Sequence, residues 1–324
     1  MPAGRSPWRW LSGLSLAGLA IAWCAGCAGR STPPGIGVQP TGRAVRSPAV
    51  SSPVVSSPVV SGPVVSNTAP EATGVPRPRR TVVVIFENHA YSQVIGSPQA
   101  PYINALARDG ALFTSSYAVT HPSEPNYLAL LSGGTQGVTG DQCPTTLRAP
   151  NLAADLIAAG LGFAGYAEGL PAPGSLACES GEYARKHVPW TDFTNVPRAV
   201  SEPFTKFPLV GYSRLPAVSF VIPDLCHDMH DCPVSTGDAW LRDHLRGYAR
   251  WAMTHDGLLI LTWDEDDSGH SNHIATIFVG QQVRPGRYGR PIDHYNVLRT
   301  IEQAYDLPYR GQAARHYPIT WVWR

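Results

Sequence analysis

What the 324-residue chain lacks narrows it first. It carries no excess of either charge: 25 Lys and Arg face 24 Asp and Glu, for a formal net charge of +1. The broad basic face with which a nucleic-acid binder neutralises phosphates is therefore missing. The apolar stretch Leu11 to Trp23 falls short of the ~20 residues that a transmembrane helix takes. Cysteine is scarce, six in all, and the four beyond residue 27 are not spaced as the paired Cys-x-x-Cys ligands of a zinc site.

What is present divides unevenly. Arg5 and Arg9 precede the Leu11 to Trp23 stretch, as in a secretory signal, which makes 1–27 a signal segment and the chain an exported one. Ala25 and Gly26 before Cys27 suit either signal cleavage or a bacterial lipid-attachment cysteine, although Cys24 stands where an aliphatic residue is more usual. Both alternatives stay open, giving a secreted or a lipid-anchored surface protein. Residues 28–80 are rich in Pro, Ser and Val, with a five-residue repeat whose prolines fall at Pro48, Pro53, Pro58 and Pro63. Such composition builds no core and reads as a disordered stalk. The remainder, 81–324, is long enough for one globular domain. Outside the cytosol its four cysteines are expected to pair, Cys143 with Cys178 and Cys226 with Cys232, because the latter two flank a loop of only five residues.

Within the domain, apolar runs alternate with helical patterns. Strands are expected at Thr81 to Phe86, Gly162 to Ala167, Ala217 to Ile222, Leu258 to Thr262 and Ile274 to Val279. Helices are expected over Pro101 to Arg108, Asn151 to Ala159, Gly237 to Met253 and His294 to Tyr305. This order implies an α/β fold with a mostly parallel sheet and helices on both faces, whose ligands bind beyond the carboxyl ends of the strands. The polar clusters Glu87-Asn88, Asp224 to Asp231 and Asp264-Glu265 all fall at such ends.

Each cluster has its own chemistry. Glu87 and Asn88 offer a carboxylate and an amide oxygen, both suited to a hard divalent cation. Asp264 to Asp267 are four acids in succession whose mutual repulsion calls for a positive partner; Asp264 and Glu265, nearest the strand end, are the expected ligands, and Asp266 and Asp267 are left to solvent or a supporting role. In Thr120-His121-Pro122-Ser123-Glu124-Pro125-Asn126-Tyr127 a hydroxyl stands where a helix is about to begin, and the free N–H groups of a helix start attract phosphate. Ser123 is then a candidate nucleophile, with His121 beside it. Asp224, His227, Asp228 and His230 crowd the Cys226 to Cys232 loop, where His230 is suited to protonate a leaving alkoxide or to hold a phosphate oxygen, and Asp228 to orient it or to bind a metal. Arg185, Lys186 and His187 form a local basic cluster able to meet an anionic head group, while His273 and His294 are weaker additional candidates.

With these residues assembled, the chain resembles the bacterial phosphoesterase family that joins phospholipases C and acid phosphatases within the alkaline-phosphatase-like superfamily. Glu87-Asn88-His89 with Gly96 is similar to that family's opening motif, Asp228-Met-His-Asp231 to its middle motif, Trp263-Asp264-Glu265 to its second metal-binding strand end, and His294 to Glu302 to its final helix. Thr120 to Leu130, Tyr183 to Trp190, Gly237 to Leu241 and Thr262 to Asp267 resemble the secreted acid phosphatases of that family that act on phosphatidylinositol 3-phosphate. Ser-Glu-Pro-Asn is also similar to the Thr-x-Pro-Asn nucleophile motif of nucleotide pyrophosphatases, which supports Ser123 as nucleophile and Asn126 as a phosphate donor.

The resemblance implies a three-layer α/β/α sandwich, a phosphomonoester substrate that includes a phosphoinositide head group at a membrane surface, and a divalent metal ion. No nucleic acid and no dedicated protein partner are expected. The rival readings are a phospholipase C cleaving a phosphodiester, and a non-catalytic surface-binding protein on a stalk. Asp224, His227 and His273 depart from residues frequent in relatives, as do the stalk and the Cys226/Cys232 pair.

Overall fold

Thr-Val-Val-Val-Ile-Phe is β-branched and aromatic throughout, and in the computed structural model, which describes residues 74–324, it becomes the central strand. These residues belong to one of two compact units into which the chain divides, Val65–Arg324. The expected signal segment, Cys27 and the proline repeat lie outside the described residues.

In chain order the elements are β1 (Arg80–Phe86), α1 (Tyr91–Val94), α2 (Pro101–Asp109), β2 (Ala111–Tyr117), α3 (Ser123–Ser132), α4 (Leu152–Ala158), β3 (Phe163–Ala167), β4 (Glu179–Ser180), β5 (Tyr183–Ala184), β6 (Ser201–Pro203), β7 (Val218–Ile222), α5 (Val234–Ala252), β8 (Gly257–Trp263), β9 (His273–Gly280), β10 (Gly286–Tyr288), β11 (Ile292–Asp293) and α6 (His294–Ala304). The main sheet runs β10-β2-β9-β8-β1-β7-β3-β6, with β11 also on β2, and β4 pairs β5 as a separate small hairpin. β1 is parallel to β7 and β8, and β7 to β3; β9 runs antiparallel to both its neighbours.

Alternation along β1 shows why the sheet is covered on both sides. Val83 and Ile85 enter one core with Tyr127, Leu128 and Leu131 of α3, Leu152 and Leu156 of α4, and Val297 and Ile301 of α6. Val82, Val84 and Phe86 enter the other with Ile103 and Leu106 of α2 and Leu241, Leu245 and Tyr248 of α5. The result is the expected three-layer α/β/α arrangement, each buried Leu or Ile contributing about 1.5–3 kcal/mol. The disulfides Cys143–Cys178 and Cys226–Cys232 are both formed.

β2 has no counterpart in the expected elements. Only Ala111 to Phe113 of it are apolar; Thr114, Ser115 and Ser116 follow, and a polar half-strand resembles a loop. Burial is made tolerable by a hydroxyl ladder across the sheet, Ser116 to Thr276 at 2.7 Å and Thr276 to Thr262 at 3.0 Å.

Parallel register brings the strand ends to one edge. Phe86 pairs with Trp263 and Val84 with Val221. Asp264 donates its N–H to the Phe86 carbonyl at 2.9 Å, and Glu87 donates its N–H to the Asp228 carbonyl at 2.8 Å. Three segments far apart in sequence thus meet at the carboxyl ends of β1, β7 and β8.

Candidate active site

α3 opens at Ser123 after Pro122, and every one of its ten residues is buried. It ends at Gly133, whose φ of 73° is left-handed and where a side chain would strike the Arg310 carbonyl. The expected anion-binding terminus is narrower than the sequence implies. Pro125 has no N–H, and the Glu124 N–H already donates to Asp141 Oδ1 at 3.0 Å.

Ser123 Oγ donates to Glu87 Oε2 at 2.8 Å and lies 3.4 Å from Glu265 Oε1. The other Glu87 oxygen accepts from the Tyr127 hydroxyl. Asn88 adopts φ 52°, a left-handed conformation that Asn tolerates better than most residues, and its N–H donates to Asp264 Oδ1 at 3.1 Å. His187 is buried between two acids, Nε2 3.3 Å from Glu87 and Nδ1 3.2 Å from Asp228, its ring stacked on Tyr127 at 5.2 Å. His230 is tilted against His187 at 5.8 Å and meets Asp231 through Nδ1 at 2.6 Å. Glu87, His187 and His230 each bring a ligand atom within 4.8 Å of the others.

The carboxylates are strained electrostatically. Burial, then the charges of Asp264 and Asp228, push Glu87 well above the carboxylate range, and burial does the same to Asp228. Asp264 rises to about 7 through burial and the neighbouring Glu265, and Glu265 to about 7 through burial and Asp141. Burial holds His187 well below the usual imidazole value, so it supplies little compensating charge. Asp264 Oδ2, Asp228 Oδ2 and His187 Nε2 are buried without a hydrogen-bond partner. Crowded acids with orphaned oxygens fit a divalent cation, which would both satisfy the oxygens and offset the repulsion.

Other expected site residues are committed elsewhere. Asn126 ties down the turn before α3: its Oδ1 accepts from the Val119 and Thr120 N–H groups, and its Nδ2 donates to the Thr120 and Pro122 carbonyls. That leaves its amide little capacity for the phosphate contact expected of it. Arg185 is not a free substrate cation; its buried guanidinium pairs with Asp192 at 3.0 Å and donates to the Thr145 and Leu176 carbonyls. Lys186 does face the site but is paired with Asp141 at 2.8 Å. His187, expected among the substrate cations, sits inside the acid cluster instead. Asp224 turns to His227 at 2.9 Å, beside Glu168, while Asp228 enters the site. His273 is stacked on Tyr91 at 4.7 Å and bonds the Thr114 carbonyl, so it belongs to the sheet edge.

His121 bridges Glu265 at 2.8 Å and Asp266 at 3.2 Å. Asp266, left to solvent or support above, is buried and accepts from the Ser268, His270 and Asn272 N–H groups; Asp267 is outside. His294 opens α6 behind Asp293, which caps it, and its Nε2–H donates to the Asp264 carbonyl at 2.7 Å. Tyr127, Asp141 and Glu124 were not singled out from the sequence. Only Tyr127 left a signal, since four residues beyond Ser123 places it on the same helix face.

Comparison with known proteins shows the family and the fold. Residues 97–308 match the phosphoesterase family, a stretch that begins after Glu87 and Asn88. The chain is 51% identical over 254 residues to a phosphatidylinositol-3-phosphatase of Mycobacterium tuberculosis, covering 78% of this chain and 85% of that one. It is 30% identical over 227 residues to an acid phosphatase of Aspergillus fumigatus, covering 64% of this chain and about half, 51%, of that longer one. A crystal structure of an alkaline phosphatase superfamily protein from Vibrio parahaemolyticus shares the fold with a TM-score of 0.51 at 16% identity, over 74% of this chain and 68% of that one.

Proposed function

The chain belongs to the phosphoesterase family, and on that premise we propose that it is a phosphoric monoester hydrolase working through a phosphoserine at Ser123, with a phosphoinositide head group among its substrates. One observation carries this reading: the Ser123 hydroxyl is hydrogen-bonded at 2.8 Å to Glu87, within a cluster of four buried carboxylates. The phosphatidylinositol-3-phosphatase relative supports the head group as substrate class.

Glu87, Asn88, Asp264 and Glu265 would hold the divalent cation, which supplies positive charge against both the serine alkoxide and the phosphate oxygens. Ser123 Oγ attacks phosphorus as its proton passes to Glu87, which accepts its hydrogen bond, and the bond to the leaving alcohol breaks. His230, at the mouth of the cluster and braced by Asp231, is placed to give that oxygen its proton. Tyr127 keeps the Glu87 carboxylate fixed, and His187 packs beside it at 3.3 Å. Water then attacks the phosphoserine, returning the hydroxyl and releasing inorganic phosphate.

We further place the protein outside the cytosol, secreted or held at the cell surface through Cys27. Arg5, Arg9 and the Leu11 to Trp23 stretch support export, and two disulfides suit an oxidising compartment.

The test is phosphate release from p-nitrophenyl phosphate and from a phosphoinositide panel, with and without chelator. Wild type should release phosphate and Ser123→Ala should lose ~10³-fold or more of it, without loss of fold, together with any phosphoenzyme. Full turnover by Ser123→Ala would sink the reading; phosphate-ester alcohols released from diesters instead would move it to a phospholipase C.

A further inference from the structure

The start of α3 is strapped by a loop that the chemistry above does not use. Glu124, next to Ser123 and fully buried, accepts from the Gln142 N–H and from Thr145 Oγ1 at 2.7 Å. Asp141 reaches both ways, one oxygen accepting from the Glu124 N–H at 3.0 Å and the other pairing with Lys186 at 2.8 Å. The Cys143–Cys178 bridge fastens this loop to the β4–β5 hairpin.

Between loop and hairpin lies a cleft of about 600 Å³, lined among others by Asp141, Gln142, Glu179, Lys186, Leu225 and His230. His230 belongs both to this cleft and to the group formed with Glu87 and His187, so the cleft opens from the reacting centre on the side where the leaving oxygen is protonated. Its volume holds a sugar-sized ring as well as a phosphate. Leu225, Ala184 and the disulfide give it apolar surface, and Asp141, Gln142, Glu179, Lys186 and His230 offer hydrogen bonds suited to hydroxyl groups.

Charge decides what else the cleft accepts. The one lysine on its wall is paired with Asp141, and Glu179, exposed on the hairpin, has no cation within ion-pair distance among the described residues. Lys186 is held by Asp141 and the His230 imidazole by Asp231, so Glu179 is the unpaired charge on the wall, and a second phosphate on the leaving group would face it without a free cation to meet it.

Resting on the phosphatase reading, we propose that this cleft binds the alcohol half of the substrate and that Glu179 makes it selective for polyols carrying a single phosphate monoester, whether free or as a lipid head group. Glu179 is a specificity-determining residue outside the reacting centre.

The experiment compares kcat/KM for glucose 6-phosphate with that for glucose 1,6-bisphosphate, and for dioctanoyl phosphatidylinositol 3-phosphate with that for its 3,5-bisphosphate, using the full chain. Wild type should favour the singly phosphorylated partner of each pair. Glu179→Lys should shift that ratio toward the bisphosphate by about tenfold, Glu179→Gln by less, and 0.5 M salt should shrink both shifts, while p-nitrophenyl phosphate turnover stays unchanged. A shift in one pair alone would tell free polyols from lipid head groups as the source, and either supports the cleft. Equal handling of both partners by wild type, or a ratio that neither variant moves while p-nitrophenyl phosphate is still hydrolysed, overturns the selectivity and leaves the phosphatase standing. No phosphate release from any monoester overturns the phosphatase reading, and this proposal with it.

Discussion

His294 acts on the site at one remove, through a backbone carbonyl. Its bond to the Asp264 carbonyl fixes the end of β8, so His294→Ala should weaken divalent-ion binding about 10–100-fold, measured by titration calorimetry, while the fold remains. Tyr127→Phe should lower kcat more than it raises KM, because it frees Glu87 without touching the cleft; a pure KM effect would contradict this role. Three of the acids that meet at the site were readable because they end apolar runs: Glu87 follows Phe86, and Asp264 and Glu265 follow Trp263. Partners are another matter. Nothing local in Arg185-Lys186-His187 says that the first is paired with Asp192, the second with Asp141, and the third lies between Glu87 and Asp228. Asn126 and His273 misled for the same reason, each being satisfied by backbone groups that the sequence does not locate.

At the level of elements, α6 carries a pH-dependent contribution to stability. Glu302 is buried, with one oxygen accepting from the Arg310 N–H at 2.9 Å and the other unpartnered. Burial pushes its carboxyl up to about 8 from 4.5. A carboxyl that binds its proton more tightly when folded adds stability below its unfolded titration, and this is lost as pH climbs toward about 8. Glu302→Gln should accordingly gain in melting temperature over wild type as pH rises from 5 to 9; a constant gap would contradict it. β3 packs against an indole at Gly165, where a side chain would sit 2.0 Å from Trp190. Gly165→Ala should cost about 1–3 kcal/mol or more in denaturant unfolding. Strands with unbroken apolar runs declared themselves, whereas β2 did not, since its hydroxyl ladder is completed by Thr276 and Thr262 from other strands.

Over the whole molecule, the two disulfides should not weigh equally. Cys143–Cys178 spans 35 residues and Cys226–Cys232 spans 6, so chain entropy assigns them about 4 and about 2 kcal/mol. Cys143→Ser with Cys178→Ser should then lower the melting temperature more than the Cys226/Cys232 pair of substitutions; the reverse order would show that the short bridge holds something besides loop length. The layered architecture was readable because two-sided burial of β1 leaves no polar alternation in its sequence. β1 also sets a schedule. It is the first strand of the main sheet to leave the ribosome and ends up at its centre, yet its partners β7 and β8 begin at Val218 and Gly257. Until most of the chain has been synthesised the central strand has nothing to zip against, so the nascent polypeptide stays threadable for much of its synthesis, and closure of the sheet is a late, long-range and slow event.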